Sequence, residues 1–234
     1  RYTCYDAIND IRNIELSIRT CKEIGLFVSG QVVYTISPVH TDEYYAKKAR
    51  EIVALGVDSI GLKDPSGLLT PQRVATLLPA LRQAAGSLPL EVHTHCRSGL
   101  GELALVDSVK FGADIVHTGV RPLASSDALP EVRFVADRLR EQGFQVDLDD
   151  GDLARMEAYF TQVAVDNDPA WVGASQQHGM ATFGLVGAQR DAGGAIGFVG
   201  IAPDAFIWPP RHNPKAAPYP GLDAFDEHSA GATM

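Results

Sequence analysis

The 234-residue sequence predicts an α/β fold of parallel strands joined by crossover helices, and a barrel is favoured over an open sheet. Glycines at positions 25, 56, 86, 112 and 143 recur at an almost constant interval. Each follows a helix-like segment, where a left-handed glycine commonly ends a helix, and each precedes a short apolar or β-branched run. A period of this length predicts repeated units of one strand and one helix.

The elements follow in the order that this period requires. A strand in the segment YTCYD opens the chain, and the third helix is marked by Thr70 as its N-cap and by Pro71 in its first turn. The predicted helices are 11–23, 41–55, 71–85, 102–111, 131–142 and 152–165, and the later predicted strands are 31–36, 58–62, 90–96 and 113–120. About five of the eight β/α units of a complete barrel are therefore expected.

Three segments differ in composition. We expect a partial barrel over 1–145, a helical and irregular segment over 146–200, and a poorly ordered, proline-rich tail over 201–234. The prolines of the tail prevent it from being mostly helical. Gly193 and Gly194, with Gly197 and Gly200, do not follow a strand and open a helix, so they indicate a turn and not a dinucleotide-binding loop.

Composition excludes several classes of function. The formal charge of -9 and the lack of a basic stripe argue against a nucleic-acid partner. Three cysteines without a C-x-x-C spacing fit reduced thiols better than a disulfide framework. No apolar run has the length of a membrane span and no signal-peptide pattern opens the sequence. We therefore expect a cytoplasmic protein.

Polar residues stand where every predicted strand ends. Because the active site of parallel α/β folds lies at the carboxyl ends of the strands, these residues are the candidates for chemistry. They are Asp6 and Asn9 after the first strand, Ser37 after the second, Lys63 and Asp64 at the third, His93 and His95 at the fourth, and His117, Thr118 and Arg121 at the fifth.

The H-T-H of the fourth strand is the clearest of these signals. Strand geometry sends His93 and His95 to the same face and Thr94 to the other. Two neutral imidazoles side by side can bind zinc, manganese or cobalt, although a site needs at least a third protein ligand. The alternative is a pair of hydrogen-bonded core histidines.

Lys63 has three interpretations. Alternation places it on one face with Ser59 and Gly61, and the small Gly61 leaves room beneath it. It could pair with Asp64 or another neighbour at the surface. It could instead lose its charge through burial and form a Schiff base with a carbonyl substrate. It could also be carboxylated and supply an oxygen ligand to a metal held by the histidines, an interpretation that the neighbouring histidine pair favours.

Five motifs carry a resemblance to a known family. They are, in order, YDAINDIRNIE, VVYTISPVHTDEYY, GVDSIGLKDPSGLLTP, VHTHCRSGLGE and GADIVHTGVRP. In this order and spacing they resemble the carboxyltransferase domain shared by pyruvate carboxylase, the α-subunit of oxaloacetate decarboxylase and the central subunit of transcarboxylase. Hydroxymethylglutaryl-CoA lyase and isopropylmalate synthase, which have related barrels, are less similar. The resemblance covers residues 1–160 and implies a TIM barrel.

The resemblance also implies a function and a set of site residues. It implies biotin-dependent carboxyl transfer to or from a small α-keto acid, pyruvate or oxaloacetate. Carboxylated Lys63, His93 and His95 would hold a divalent ion, which is Zn, Mn, Co or Mg. Asp6 and Asn9 join Lys63 as catalytic candidates, and Arg121 is a mouth residue. Carboxybiotin would come from a separate carrier domain or subunit, with biotin carboxylase or decarboxylase subunits as further partners of a homo-oligomer.

The sequence also departs from the family pattern. The family's first three β/α units, with an aspartate ligand and a substrate-binding arginine and glutamine, have no counterpart here. Its P-G-G-x-x-S/T-N motif reads AGGAIGF, with Gly197 in place of the hydroxyl residue and Thr182 as a distant substitute. Two alternatives therefore stay open: an inactive fragment or non-catalytic partner subunit of such a complex, and a metal-dependent lyase or aldolase of the same barrel superfamily.

Overall fold

The structure is a computed structural model that describes residues 1–126 and 128–166. These residues form one parallel sheet with helices between successive strands. The strands are Tyr2–Tyr5 (β1), Val28–Val33 (β2), Ser59–Asp64 (β3), Leu90–Thr94 (β4) and Ile115–Val116 (β5). The helices are Arg12–Glu23 (α1), Asp42–Val53 (α2), Pro71–Ala85 (α3), Gly101–Lys110 (α4), Val132–Glu141 (α5) and Asp150–Asp166 (α6).

The strands lie in sequential order, and each pairs in parallel with the next. This arrangement confirms the predicted parallel α/β fold. Within the described residues, β1 and β5 are the two edges of the sheet, so closure into a barrel stays a prediction. All carboxyl ends of the strands meet at one rim, where the predicted site residues lie.

The two faces of the sheet differ in polarity. Side chains on one face pack against the helices and form the apolar core, which includes Val32, Ile60, Leu62 and Val92. The alternate residues, which strand geometry sends to the other face, are polar and buried: Ser29, Gln31, Ser59 and Glu91. A buried polar face is costly unless its groups are paired, so this face is the place to look for function.

Two aspartates fix the starts of strands at the rim opposite the site. Asp58, just before β3, accepts hydrogen bonds from the Val28 backbone N at 2.7 Å and from the Lys22 Nζ at 2.6 Å. Asp114, just before β5, accepts from the Leu90 backbone N at 2.8 Å and from an α3 arginine at 2.6 Å. Each aspartate is the last residue of a Gly-x-Asp sequence that lies between a helix and the next strand. The same aspartate contact therefore recurs before β3 and before β5.

The predicted bounds of β2 were wrong by three residues, since the strand is Val28–Val33 and not 31–36. Specific contacts decide where it lies. Its first backbone N–H is bound by Asp58, and both backbone groups of Val33 at its end are bound by Asn9. The apolar run that suggested a later strand continues past this end into a loop.

The prediction of β5 over 113–120 was also too long, because only Ile115–Val116 pair as a strand. Beyond it the backbone N of His117 still bonds to the Val92 carbonyl of β4, but the chain then turns away. Gly119 forms an isolated parallel bridge with Glu131, at the start of α5. The bounds of α3 agree with the prediction at both ends, and α6 begins and ends within two residues of its predicted range.

The remaining expectations about the fold concern residues outside the described part of the chain. These are the turn at Gly193 and Gly194, the positions of Gly197 and Thr182, and the proline-rich tail over 201–234. Cys4, Cys21 and Cys96 are free and buried, in agreement with the prediction of reduced thiols. None of the helices within residues 1–126 and 128–166 has the length and apolar character needed to cross a membrane.

Candidate active site

Lys63, His93 and His95 converge at the carboxyl ends of β3 and β4. Lys63 and His93 are partners in the strand register, and the Lys63 Nζ lies 3.3 Å from the His93 Nε2. The rings of His93 and His95 have their centroids 5.2 Å apart at an interplanar angle of 49°. The predicted juxtaposition of one lysine and two histidines is therefore present in the structure.

The lysine lies in a partly apolar environment. Its Nζ is 4.7 Å from the ring centroid of Tyr5, on β1, and burial lowers the pKa of Lys63. The carboxylate of Asp64 lies on the opposite face, where its Oδ2 accepts from the Leu69 backbone N and the Thr94 Oγ1. The alternative in which Lys63 pairs with Asp64 does not fit this geometry.

The space beside Gly61 contains the side chain of Gln31. A Cβ at Gly61 would lie only 2.8 Å from the Gln31 Cγ, so glycine is required for the present packing. The amide of Gln31 is buried, and neither of its polar atoms has a hydrogen-bond partner among the described residues. The expectation that Gly61 leaves room beneath Lys63 is thus modified, because a buried glutamine fills that room.

A network of polar side chains continues behind His93. The His93 Nδ1 lies 3.2 Å from the His117 Nδ1, and the His117 Nε2 lies 3.2 Å from Glu91 Oε2. The other oxygen of Glu91 accepts from the Ser59 hydroxyl and from Arg1. Burial opposes ionisation of Glu91, but hydrogen bonds from His117 and Ser59 outweigh it and lower its pKa to about 2.

Glu91 was absent from the sequence-predicted site. A signal for it existed, since Glu91, His93 and His95 alternate on one face of the same strand. A carboxylate in a strand that otherwise reads Leu, Val, His and Thr needs partners once it is buried, and Glu91 is only 1% exposed.

Asp6 serves the loop that leads into α1. Its carboxylate accepts from the backbone N of Ile8 at 3.1 Å and of Asp10 at 2.9 Å, and from the Asn13 Nδ2 at 3.0 Å. The bonds from Asp10 and Asn13 lower the pKa of Asp6. This geometry fits a role in holding the loop before α1, and the catalytic role of Asp6 stays a prediction.

Asn9 joins the first loop to the end of β2. Its Nδ2 donates to the Val33 carbonyl at 2.9 Å, and its Oδ1 accepts from the Val33 N at 2.7 Å. Asn9 is buried and has a φ of 59°, in the left-handed region that asparagine tolerates better than most residues. Both ends of the amide are occupied by backbone, so its catalytic role also stays a prediction.

Arg121 is 70% exposed, and its Nε lies 3.7 Å from the Glu131 Oε2. None of the hydrogen bonds and ion pairs of Asp6, Asn9 and Arg121 given above is made to Lys63, His93 or His95, although Val33, the partner of Asn9, pairs in register with Lys63. The structure therefore brings together Lys63, His93 and His95 from the predicted site, and leaves the other three predicted residues at the rim around them.

The donor set fits a divalent ion if Lys63 takes part. Within residues 1–126 and 128–166, no group of three or more His, Cys, Asp or Glu side chains could hold a metal. Two imidazoles and a lysine nevertheless converge, and a lysine that has lost its proton and gained a carboxyl group offers anionic oxygen. His93, His95 and carboxylated Lys63 would then provide the three protein ligands that a catalytic metal site commonly has.

A groove with a volume of about 570 Å³ opens at the same rim. Residues after β2 and β3 line it, among them Tyr34, Ser37, His40 and Arg73, whereas Lys63 and the histidine pair do not. The lysine and histidine cluster stays the candidate site, because the Lys63 Nζ and the His93 Nε2 are 3.3 Å apart and the ring of His95 is adjacent to that of His93.

Comparisons with known proteins identify relatives over most of the described residues. The chain is 37% identical over 162 residues to a pyruvate carboxylase subunit of Methanocaldococcus jannaschii, covering 69% of this chain and 28% of that protein. It is 31% identical over 163 residues to the methylmalonyl-CoA carboxyltransferase 5S subunit of Propionibacterium freudenreichii subsp. shermanii, covering 69% and 32%. The chain thus spans about a third or less of the length of these relatives. No family model matches it.

A solved structure agrees with these relatives. The carboxyl transferase domain of Rhizobium etli pyruvate carboxylase, solved with pyruvate and biocytin, superimposes with a TM-score of 0.66 at 27% identity. The match covers 69% of this chain and 28% of that one. The predicted resemblance is therefore confirmed by both sequence and fold. The matched part of this chain belongs to the carboxyltransferase family that includes the archaeal pyruvate carboxylase subunit and the transcarboxylase 5S subunit.

Proposed function

We propose that this chain carries part of the site for metal-dependent and biotin-dependent carboxyl transfer to or from a small α-keto acid, pyruvate or oxaloacetate. The observation that carries the proposal is the convergence of Lys63, His93 and His95 at the carboxyl ends of two adjacent strands. The similarity to a pyruvate carboxylase subunit and to a methylmalonyl-CoA carboxyltransferase subunit supports the proposal.

Lys63 needs to lose its proton before it can act as a ligand. Burial lowers its pKa, which makes the neutral amine more accessible. The neutral amine attacks carbon dioxide, so that an N–C bond forms while one C=O π bond opens onto oxygen. An N–H proton is then lost to solvent, and the product is a carbamate with two oxygen donors. His93 and His95 would contribute neutral ring nitrogens. A divalent ion (Zn, Mn, Co or Mg) bound there would act as a Lewis acid toward the keto acid's carbonyl oxygen.

The remaining components come from outside the described residues. Carboxybiotin would be supplied by a biotin carrier domain or subunit, and biotin carboxylase or decarboxylase subunits would complete the complex. We also propose that the chain forms a homo-oligomer in the cytoplasm. The chain spans 28% of the Methanocaldococcus jannaschii protein that it matches, so these partners are proposals about a larger assembly.

The experiment combines metal analysis with a decarboxylation assay. The purified chain would be assayed for bound metal and for decarboxylation of oxaloacetate with free biotin as acceptor, alongside the Lys63→Ala variant. Lys48→Ala is the matched control, because Lys48 lies on α2 and pairs with Glu51. We expect metal and activity in the parent and control and neither in Lys63→Ala. Bound metal without activity would support the non-catalytic alternative, and neither in the parent would overturn the proposal.

A second candidate is a Schiff-base lyase, favoured by the same burial of Lys63. A lysine with a lowered pKa and an aromatic neighbour has the environment that imine formation requires. The carboxyl-transfer proposal accounts in addition for His93 and His95, for which a Schiff-base enzyme has no need. Borohydride reduction in the presence of pyruvate separates the two, because only an imine is trapped.

A further inference from the structure

We propose that His117 is a positioning residue that holds His93 as its Nδ1–H tautomer, so that the Nε2 lone pair of His93 faces Lys63. Glu91 anchors the arrangement from the other side of His117. The three residues form what we call the histidine network (Glu91, His117 and His93). The inference rests on the proposed function, since it concerns how one candidate metal ligand is prepared.

The direction of the hydrogen bonds follows from Glu91. An ionised carboxylate can only accept, and Glu91 is 1% exposed with Ser59 and Arg1 donating to its other oxygen. The His117 Nε2, 3.2 Å from Glu91 Oε2, therefore carries a proton and donates it. A neutral His117 then has its lone pair on Nδ1.

The same reasoning continues to His93. Its Nδ1 lies 3.2 Å from the His117 Nδ1, and because the latter accepts, the His93 Nδ1 must carry the proton. The lone pair of a neutral His93 is then on Nε2, 3.3 Å from the Lys63 Nζ. A lysine ammonium donates to that lone pair, and after carboxylation the same lone pair is available to a metal ion.

The opposite direction fails at the lysine. If the His93 Nδ1 accepted from His117, a neutral His93 would carry its proton on Nε2, where it would point at the three donors of a lysine ammonium. The Nε2–H and the ammonium would then be two donors facing each other across 3.3 Å, and Nε2 would have no lone pair for a metal. The network is thus the tautomer control that metal-binding histidines commonly receive from an outer partner.

The first test reads the tautomer directly. Nitrogen NMR of the metal-free, 15N-histidine-labelled chain at slightly alkaline pH distinguishes a protonated Nδ1 from a protonated Nε2. We expect His93 to be Nδ1–H and His117 to be Nε2–H, assigned with the His93→Gln and His117→Asn variants. A His93 that is predominantly Nε2–H would overturn the inference, whether or not the chain binds metal.

The second test uses variants that change the acceptor and the anchor separately. Glu91→Gln keeps an oxygen that can accept from Ser59 and Arg1, and its NH₂ group then faces the His117 Nε2. Because that NH₂ donates, the direction of every hydrogen bond in the histidine network is reversed. His117→Asn retains an oxygen near the Nδ1 position, whereas His117→Leu has no acceptor. We expect Glu91→Gln and His117→Leu to weaken Zn²⁺ binding by about 10–100-fold, and His117→Asn to retain more of it.

The readouts separate this inference from the proposed function. Zn²⁺ binding would be measured by titration against a chelator, with thermal melting to check that each variant folds. Equal affinity in His117→Leu and the parent would contradict the inference and leave the metal proposal standing. Absence of Zn²⁺ binding in the parent would contradict the metal proposal, and the NMR tautomer of His93 would still decide the inference.

Discussion

The Lys63 Nζ and the His93 Nε2 lie 3.3 Å apart, across two neighbouring strands in direct register. This pair combines a group that can change its charge with one whose lone pair is held in place. A lysine on a flexible stem adjusts its position, while His93 is constrained by His117 behind it. The pair is therefore a suitable place for a ligand that forms only after the lysine has been modified.

The first prediction concerns the histidine pair. If His93 and His95 are direct ligands as proposed, His93→Ala and His95→Ala should each reduce bound metal by at least the roughly 10–100-fold that loss of an outer-shell partner costs. His40→Ala is the control, since His40 lines the groove and bonds to Ser37. Metal content by elemental analysis of the purified variants is the measurement. Unchanged metal in both histidine variants would remove these residues from the site.

The lysine and histidine cluster could be predicted from the sequence, because the positions of its residues depend mainly on geometry within each strand. Alternation along a strand places His93 and His95 on one face whatever the rest of the fold does. The parallel order of the strands follows from the repeated β/α period, and it places the carboxyl ends of β3 and β4 side by side. The face and the rim are available from spacing, whereas the direct register of Lys63 with His93 is seen only in the structure.

Sequence reasoning could not predict the contacts that depend on strand register. Glu91 meets His117 only because Glu91 pairs with Ile115, and the pairing of β4 with β5 sets how far each strand extends. The same limit explains Asn9. A polar residue after a strand can line a mouth or bind backbone, and only the position of Val33 showed that its amide is occupied.

The second prediction concerns Asn9. Asn9→Asp keeps the acceptor for the Val33 N and replaces the donor to the Val33 carbonyl with an oxygen. Two oxygens would then face each other in a buried place, so we expect a loss of about 1–3 kcal/mol in the free energy of unfolding. Urea denaturation is the measurement, and Asn13→Ala, which loses one exposed bond to Asp6, is the control.

If Asn9 is an anchor and not a catalytic group, the metal content of folded Asn9→Asp should equal that of the parent. A variant that unfolds at the same urea concentration as the parent, but has lost decarboxylation activity, would contradict this view. That outcome would return Asn9 to the catalytic group.

The third prediction concerns the stability of the opposite rim and its dependence on pH. Hydrogen bonds from Lys22 and the Val28 N lower the pKa of Asp58 from 3.8. A carboxylate with a lowered folded pKa stabilises the protein above its unfolded pKa, and that contribution is lost as the pH falls through the folded pKa. Asp58→Ala should therefore lower the free energy of unfolding by about 1–3 kcal/mol at neutral pH.

The difference between Asp58→Ala and the parent should shrink as the pH is lowered below 3.8, because the parent's carboxylate is then progressively protonated. Denaturation curves at a series of pH values are the measurement. Asp107→Ala, which breaks a surface pair with Lys110 on α4, is the control and should change stability by less than about 0.5 kcal/mol. A pH-independent difference would contradict the assigned cause.

The last prediction separates the two chemical roles of Lys63. A carboxylated lysine has lost its positive charge and offers oxygen to an ion beside His93, whereas a Schiff-base lysine stays an amine in an apolar pocket. Lys63→Ala should abolish activity under either role, so activity alone cannot distinguish them. The two roles can be distinguished by measuring metal content and borohydride trapping with pyruvate or oxaloacetate on the same preparations.

We expect Lys63→Ala to lose its bound metal and the parent to give no trapped adduct. The Lys48→Ala control should keep its metal, because Lys48 pairs with Glu51 on the surface of α2. Added bicarbonate should increase metal binding by the parent and leave Lys63→Ala unchanged, since only the parent has an amine to carboxylate. A substrate adduct on Lys63, with metal content unaffected by its removal, would instead assign the chain to metal-free Schiff-base chemistry.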